Sequence, residues 1–183
     1  MKINLPNLLI VFRIALIPVF LFFFLSAGPG DYFFRLAAMV VFLVASISDF
    51  FDGLLARRWN TVSNFGKLMD PLADKMLVCS AMIALAYRQE IAAWVVVVVI
   101  CREFWVTSLR MLALEQGREV KGASIWGKTK TVLQMAMIVV LVAGLEMGEW
   151  INTVTIMLVY MAVIATVLSA VEYTRDYKDV FKA

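Results

Sequence analysis

The sequence contains no histidine, has only two cysteines in 183 residues, and is poor in charge. Charged residues make up 17% of the chain, against about 25% in an ordinary soluble domain, whereas 63% of the residues are hydrophobic. This composition excludes a soluble globular domain and indicates a membrane protein. Cys79 and Cys101 lie in apolar segments, where thiols act more often as small apolar residues than as a disulfide or metal pair.

Long apolar segments predict the fold class. Each is long enough to cross a hydrocarbon core of about 30 Å as a helix, and they span residues 7–26, 33–58, 66–87, 91–114, 125–145 and 150–173. We do not expect the first to be a removable signal peptide, because Arg13 lies within it and five more segments follow. We therefore expect an all-α, multi-pass membrane protein with six transmembrane helices and one domain over residues 1–183.

The basic residues predict the orientation, because Lys and Arg favour cytoplasmic loops. Only Arg35 and Arg88 fall on the outer side if the N-terminus is cytoplasmic. The cytoplasmic side then collects Lys2, Arg57, Arg58, Lys67, Arg110, Arg118, Lys121, Lys128, Lys130, Arg175, Lys178 and Lys182. Both termini are expected in the cytoplasm. Topology and attraction to anionic membrane lipids account for the basic excess, so no nucleic-acid partner is expected.

Four aspartates lie in the stretch "SDFFDGLLARRWNTVSNFGKLMDPLADK", residues 48–75. At about 1.5 Å per residue, Asp49 lies roughly 24 Å along a helix that enters from the outside. The other aspartates, Asp52, Asp70 and Asp74, follow near the same cytoplasmic edge. Charged groups inside spans are costly and often functional, so we expect a water-reachable active site at the cytoplasmic side.

Helical periodicity places the aspartates of the second helix on one face. At about 100° per residue, Asp49 and Asp52 share that face with the small residues Gly53 and Ala56. Small residues there allow a bulky group to approach the backbone. That group is either a ligand or a neighbouring helix.

The third helix carries the other pair, Asp70 and Asp74, at i and i+4, hence also on one face. Pro71 suits the first turn of a helix, which would make Asp70 an N-cap. Alternatively the helix begins near Asn64, and Pro71 then lies inside it and kinks it.

Four neighbouring carboxylates repel one another unless cations lie among them. Oxygen ligands without histidine favour Mg²⁺ or Mn²⁺, with Ca²⁺ as an alternative, and two such ions would suit phosphoryl chemistry. Two other interpretations stay open: structural ion pairs with Arg57, Lys75 or Arg102, and a cation transporter or channel. Two observations argue against a transporter or channel. The acidic residues all cluster on one side of the membrane, and no series of polar residues continues from them towards the outer face.

Basic residues near the acids complement a metal site. Arg57 follows the acidic face and is suited to bind a phosphate bidentately. A second anionic group would be bound by Arg102, Arg110, Lys128 and Lys130, whereas Glu103 is expected to pair with an arginine. Acidic residues suited to bind metal ions thus lie near basic residues suited to bind phosphates. This combination suggests an enzyme that joins a lipid-linked phosphate to a soluble phosphorylated partner.

The same stretch resembles the CDP-alcohol phosphotransferase family. The family signature, D-x2-D-G-x2-A-R-x8-G-x3-D-x3-D, is matched at every position by Asp49, Asp52, Gly53, Ala56, Arg57, Gly66, Asp70 and Asp74. Further segments resemble the bacterial branch that uses glycerol 3-phosphate as acceptor, namely residues 4–18, 52–60, 66–78, 101–113 and 124–135.

The resemblance implies a role for each matched residue. Asp49, Asp52 and Asp70 would bind two divalent cations, and Asp74 would be both a metal ligand and the general base. The nucleotide would contact Asn7, Gly53, Ala56, Arg57 and Gly66. The phosphate of the acceptor would contact Arg102, Arg110, Lys128 and Lys130.

The implied reaction transfers the phosphatidyl group of CDP-diacylglycerol to glycerol 3-phosphate in the bacterial cytoplasmic membrane. Within the family, serine, inositol phosphate and phosphatidylglycerol are alternative acceptors, and the basic residues argue against serine. Members of the family are often homodimers, so the resemblance allows a homodimer, although no sequence feature indicates its interface.

Overall fold

The computed structural model describes residues 5–59, 64–117, 124–144 and 149–178, with the backbone alone at 5–7, 49–59, 64–71, 74 and 149–151. The described residues form six helices, α1 (Leu5–Ser26), α2 (Tyr32–Trp59), α3 (Asn64–Tyr87), α4 (Ala93–Glu115), α5 (Ile125–Ala143) and α6 (Glu149–Asp176). Each helix corresponds to one predicted apolar segment, with ends that differ by a few residues. The all-α prediction is therefore confirmed.

Local sequence explains where α2 and α3 begin. Asp31 precedes α2 and accepts a hydrogen bond from the backbone N–H of Phe34 at 3.3 Å, which is the usual role of an N-cap aspartate. Helix α3 begins at Asn64, so Asp70 lies in its second turn and is not its N-cap. Pro71 therefore lies inside the helix, as in the second of the two predicted alternatives.

The chain divides into two compact units, of which the first comprises Met1–Glu90 and Val139–Gly144. In this unit α1 packs against both α2 and α3. The rings of Phe20 and Phe24 stack in α1 with centroids 5.7 Å apart, and Phe42 of α2 lies 5.8 Å from Phe20. Small residues are fully buried in α2 and α3 of the same unit, namely Ala38, Ala45, Ala73 and Ala81.

A cluster of charged side chains in the first unit forms hydrogen bonds with backbone carbonyls at helix ends. Arg88 donates from Nη1 to the carbonyls of Phe24 and Ala27 at 2.9 and 2.7 Å, so it binds the carbonyl end of α1. Glu90 accepts from Arg88 Nε at 2.9 Å and from Arg35. Arg35 also donates to a carbonyl of α5. These contacts join four helices at one end of the unit.

The second unit comprises Ile91–Ile138 and Leu145–Ala183. Helix α4 packs against α6. Their contact includes a buried cluster of Val106, Ala113, Tyr173 and Tyr177. Helix α5 contributes polar side chains to this unit from its first half.

Among the described residues, three helices are long and apolar enough to cross a membrane: Leu8–Ser26, Ile125–Ala143 and Asn152–Asp176. Shorter apolar helical segments occur at Tyr32–Ser48 and Lys75–Tyr87. Helix α4 lacks such an uninterrupted stretch because it contains Arg102, Glu103 and Arg110. Large apolar side chains on the helices are more than half exposed, as at Phe22, Val97 and Ile164. Such surfaces are suited to contact with lipid chains.

Candidate active site

The backbone of α2 is helical without a break through the first pair of aspartates, and that of α3 is helical through the second pair. Asp49 and Asp52 are therefore i and i+3 on one side of α2. Asp70 and Asp74 are i and i+4 on one side of α3, as the sequence predicted. Helices α2 and α3 contact each other within the first unit.

The side chains of the predicted metal ligands Asp49, Asp52, Asp70 and Asp74 lie outside the described part of the structure. The same is true of the predicted nucleotide-binding residues, Asn7, Gly53, Ala56, Arg57 and Gly66. The described side chains elsewhere contain no group of acidic residues and cysteines that would bind a metal ion. Chemically, a set of carboxylate oxygens on two contacting helices fits a hard divalent cation.

A buried basic side chain lies in α1, which packs against both aspartate-bearing helices. Arg13 is 0% exposed, and a guanidinium fully removed from water needs polar or charged neighbours. An arginine at this point therefore requires such neighbours within the first unit.

The second unit contains a buried charged cluster that includes two of the predicted acceptor-binding residues. Lys130 of α5 donates from Nζ to Glu103 Oε1 of α4. Arg102 donates from Nη1 to the same carboxylate oxygen at 3.2 Å. All three side chains are buried. The expectation that Glu103 pairs with an arginine is confirmed, and a lysine shares it.

Neutral polar groups surround this cluster. Arg102 donates from Nη2 to Ser169 Oγ of α6. Lys130 also donates to Gln134 Oε1 at 3.3 Å, and the Gln134 amide donates to Thr166 Oγ1 at 3.0 Å. The network joins α4, α5 and α6, and it gives each of the two buried cations a neutral hydrogen-bond acceptor besides Glu103.

Arg110 lies two turns after Arg102 on α4 and binds the tyrosine of α6. Its Nη2 donates to the hydroxyl of Tyr173 at 3.2 Å. The guanidinium carbon of Arg110 is 5.2 Å from the ring centroid of Tyr173, and that of Arg102 is 5.7 Å from the same centroid. These distances are typical of cation–π contacts. Tyr173 thus connects the two arginines.

Ser124 caps the start of α5, and the two predicted lysines follow on different faces of this helix. Ser124 Oγ accepts from the N–H of Gly127 at 3.0 Å, which is a typical N-cap bond. Lys128 and Lys130 are about 200° apart around the helix. Lys128 is exposed, whereas Lys130 is buried. The backbone N–H of Lys128 donates to the carbonyl of Ser124 at 3.0 Å, and its side chain is exposed.

The structure thus brings together Arg102, Arg110 and Lys130, but not Lys128. With Glu103 included, the formal charge of the group is three positive and one negative, or +2. A phosphate monoester carries about −1.5 to −2 at pH 7. A group with this excess of basic side chains is suited to bind an anion.

Sequence reasoning missed Thr166, Ser169 and Tyr173. A signal for them exists, since they are spaced i, i+3 and i+7 in the largely apolar helix α6. That spacing places polar groups on one helix face. In an apolar span, such a stripe indicates contact with other polar side chains.

Comparisons with known proteins agree with the resemblance found in the sequence. Residues 3–168 match the family described as CDP-alcohol phosphatidyltransferase. The chain is 39% identical over 182 residues to the CDP-diacylglycerol–glycerol-3-phosphate 3-phosphatidyltransferase of Bacillus subtilis, with 93% of each chain covered. It is 36% identical over 177 residues to the Escherichia coli protein of that name, with 94% of each covered. A probable phosphatidylglycerophosphate synthase of Mycobacterium tuberculosis is 35% identical over 178 residues, covering 97% of this chain and 83% of the relative.

Proposed function

The chain belongs to the CDP-alcohol phosphatidyltransferase family, and on that premise we propose that it transfers the phosphatidyl group of CDP-diacylglycerol to glycerol 3-phosphate. The products are phosphatidylglycerophosphate and CMP. The observation that carries the proposal is the near full-length similarity to bacterial proteins named for this reaction. The complete aspartate signature on α2 and α3 supports it.

Asp49, Asp52, Asp70 and Asp74 hold two divalent cations, Mg²⁺ or Mn²⁺, in this proposal. When bound, such ions neutralise phosphate charge and polarise the bond to the leaving group. Carboxylates on two neighbouring helices, in a chain without histidine, are the ligand type that these ions prefer. Asn7, Gly53, Ala56, Arg57 and Gly66 bind the cytidine nucleotide and its phosphates.

Asp74 acts as general base and removes the proton from the 1-hydroxyl of glycerol 3-phosphate. The hydroxyl oxygen attacks the phosphorus that carries diacylglycerol. A new oxygen–phosphorus bond forms, the bond from that phosphorus to the oxygen of the CMP phosphate breaks, and CMP leaves with the electron pair. A positioned carboxylate is suited to this proton transfer.

Arg102, Arg110 and Lys130 bind the phosphate of the acceptor, and the proposal extends to Lys128. These three basic side chains support a phosphorylated acceptor rather than serine. Phosphatidylinositol phosphate synthase or cardiolipin synthase activity remains the alternative within the family. The names of the relatives favour glycerol 3-phosphate over both.

The proposal also includes the topology: six transmembrane helices, both termini in the cytoplasm, one catalytic domain and a place in the bacterial cytoplasmic membrane. Single cysteines in a cysteine-free background test the orientation in spheroplasts. An impermeant maleimide should label Gly28→Cys and Ala92→Cys directly, but Lys178→Cys only after permeabilisation. Labelling of Lys178→Cys in sealed spheroplasts would contradict the orientation.

An assay of CMP release in detergent tests the reaction. CDP-diacylglycerol and Mg²⁺ are supplied with glycerol 3-phosphate, inositol phosphate, phosphatidylglycerol or serine, one at a time. Rapid CMP release with glycerol 3-phosphate, and with none of the other three acceptors, supports the proposal. Release only with another alcohol would assign the alternative activity, and no release with any acceptor would refute the enzyme function. The mass of the detergent-solubilised protein tests the homodimer that the family resemblance allows.

A further inference from the structure

Arg13 lies on the buried face of the apolar helix α1. Its side chain is 0% exposed, and it has an interaction partner in the protein. The residue belongs to a stripe of buried residues spaced by three and four positions, which is the repeat of one helix face. The other members of the stripe are Ile10, Ile17, Phe20 and Phe24. Helix α1 packs against α2 and α3 in its own unit, so this stripe is the packed face of the helix.

A guanidinium that is buried among apolar helices is stabilised by a counter-charge. Two acidic residues of the first unit lie at the far end of α1, where Asp31 caps α2 and Glu90 binds Arg35 and Arg88. That end is about 20 Å from Arg13 along the helix. The remaining acidic residues in the sequence of this unit are Asp49, Asp52, Asp70 and Asp74.

These aspartates continue the buried faces of α2 and α3. Asp49 comes four residues after Ala45, which is fully buried in α2. Asp74 comes three residues before Leu77, which is 1% exposed in α3. Residues at these intervals share a helix face. The packed faces of three neighbouring helices thus carry one arginine and the signature aspartates.

Arg13 and Asp74 lie at the same level of the first unit. Each is 13 residues before the last residue of its helix, Ser26 in α1 and Tyr87 in α3. Those two ends are adjacent, because Arg88 directly after α3 donates to two carbonyls at the end of α1. At about 1.5 Å per residue, both residues lie about 20 Å from the adjacent ends.

The other signature aspartates lie further along their helices. Asp49 is 17 residues after Tyr32, the first residue of α2, and Asp70 is four residues before Asp74. Both therefore lie about one helical turn beyond the level of Arg13. Asp74 is the acidic residue of this unit whose level matches that of the buried arginine.

We propose that Arg13 donates to the carboxylate of Asp74 and thereby holds the general base in position for the acceptor hydroxyl. This inference rests on the proposed function, because it concerns the base of the same reaction. A charge-assisted hydrogen bond from a guanidinium fixes the orientation of a carboxylate, and general-base catalysis depends on that geometry. Arg13 is thus a positioning residue, and it does not touch the substrate.

A double-mutant cycle tests the ion pair without any substrate or metal ion. Thermal unfolding in detergent with EDTA compares the wild type, Arg13→Gln, Asp74→Asn and the double variant. Either single change leaves a buried charge without this partner, whereas the double variant removes both charges. The Tm loss of the double variant should therefore be smaller than the sum of the single losses by about 5 °C or more. Additive losses would overturn the inference.

Two further cycles show whether the coupling is specific to Asp74. Arg13→Gln combined with Glu90→Gln is the matched control, because Glu90 lies at the other end of the helices, and these losses should add within about 2 °C. Arg13→Gln combined with Asp49→Asn should show weaker coupling than the cycle with Asp74. Stronger coupling to Asp49 would contradict the assignment.

Kinetics test the positioning role. Arg13→Gln should lower kcat about tenfold or more, with both KM values within about threefold, and Arg13→Lys should recover part of the loss because it keeps the charge. In the Asp74→Asn background, Arg13→Gln should cause no further loss of kcat. A purely structural arginine would lower activity in both backgrounds. Arg88→Gln removes such an arginine from the same unit, so it should lower the Tm while kcat of the folded protein stays within about twofold.

The two measurements separate this inference from the proposed function. If the wild-type protein releases no CMP with any acceptor, the proposed function is wrong, whereas the unfolding cycle still decides whether Arg13 pairs with Asp74. Coupling in the cycle together with an unchanged kcat in Arg13→Gln would refute the positioning role. Coupling together with the loss of kcat supports it.

Discussion

Lys130 of α5 and Arg102 of α4 share one carboxylate oxygen, Glu103 Oε1. All three side chains are buried. One carboxylate oxygen therefore accepts hydrogen bonds from two buried cations on different helices. Glu103 also sets where the two cations lie, because each of them donates a hydrogen bond to it.

Removing the charge of Glu103 should destabilise the protein. Glu103→Gln removes the carboxylate charge to which the buried cations Arg102 and Lys130 donate, and breaking a buried ion pair in this way costs about 3–5 kcal/mol. The free energy of unfolding in mixed micelles measures the effect. Glu115→Gln, at an exposed position on the same helix, should change stability by less than about 0.5 kcal/mol. Equal stability of the two variants would show that the buried pair does not stabilise the unit.

Arg110→Ala should weaken binding of the acceptor far more than binding of the donor. A hydrogen bond to a charged group contributes about 1.5–3 kcal/mol, so the KM for glycerol 3-phosphate should rise roughly tenfold or more. The KM for CDP-diacylglycerol should stay within about twofold. Arg175→Ala removes an exposed arginine from α6 and serves as the control. Parallel increases of both KM values in Arg110→Ala would contradict the phosphate-binding role.

Asp74→Asn should abolish catalysis while substrate binding is largely kept. An asparagine cannot accept the proton of the attacking hydroxyl, and loss of a general base lowers kcat by about 10²–10⁴. Initial rates of CMP release at saturating substrates give this value. Asp31→Asn makes the same chemical change at the N-cap of α2, where asparagine also caps well, and should leave kcat unchanged. Near-normal kcat in Asp74→Asn would remove this residue from the reaction.

Chelation of divalent cations should stop the reaction reversibly. EDTA is expected to abolish CMP release, and excess Mg²⁺ or Mn²⁺ should restore it, because four neighbouring carboxylates bind phosphates only when cations neutralise them. Zn²⁺ should restore little activity, since the ligand set has no nitrogen or sulfur. Activity that persists in EDTA after extensive dialysis would argue against a metal-dependent site.

Gly144→Ala should destabilise the protein more than Gly117→Ala does. Both glycines have positive φ, 57° and 68°, a conformation that costs a residue with a Cβ about 1 kcal/mol or more. A Cβ at Gly144 would in addition overlap the guanidinium of Arg35, whereas a Cβ at Gly117 meets open space. Thermal unfolding in detergent compares the two variants. An equal loss would mean that Arg35 moves aside without cost.

The six helices and the pairing of the aspartates were predictable from the sequence, because both depend on local features. An apolar run of sufficient length predicts a helix by itself. A spacing of three or four residues predicts a shared face wherever the backbone is helical. The start of α3 at Asn64 was one of two alternatives, since a proline is compatible with either the first turn or a kinked interior.

The partners of the basic residues were decided only by tertiary structure. The sequence gives Lys128 and Lys130 the same chemistry, yet the rotation of α5 buries Lys130 against Glu103 and exposes Lys128. Tyr173 lies more than 60 residues after Arg110, and nothing local connects them until α4 and α6 pack together. Helical periodicity fixes which residues share a face, but the rotation and register of one helix against another fix which faces meet.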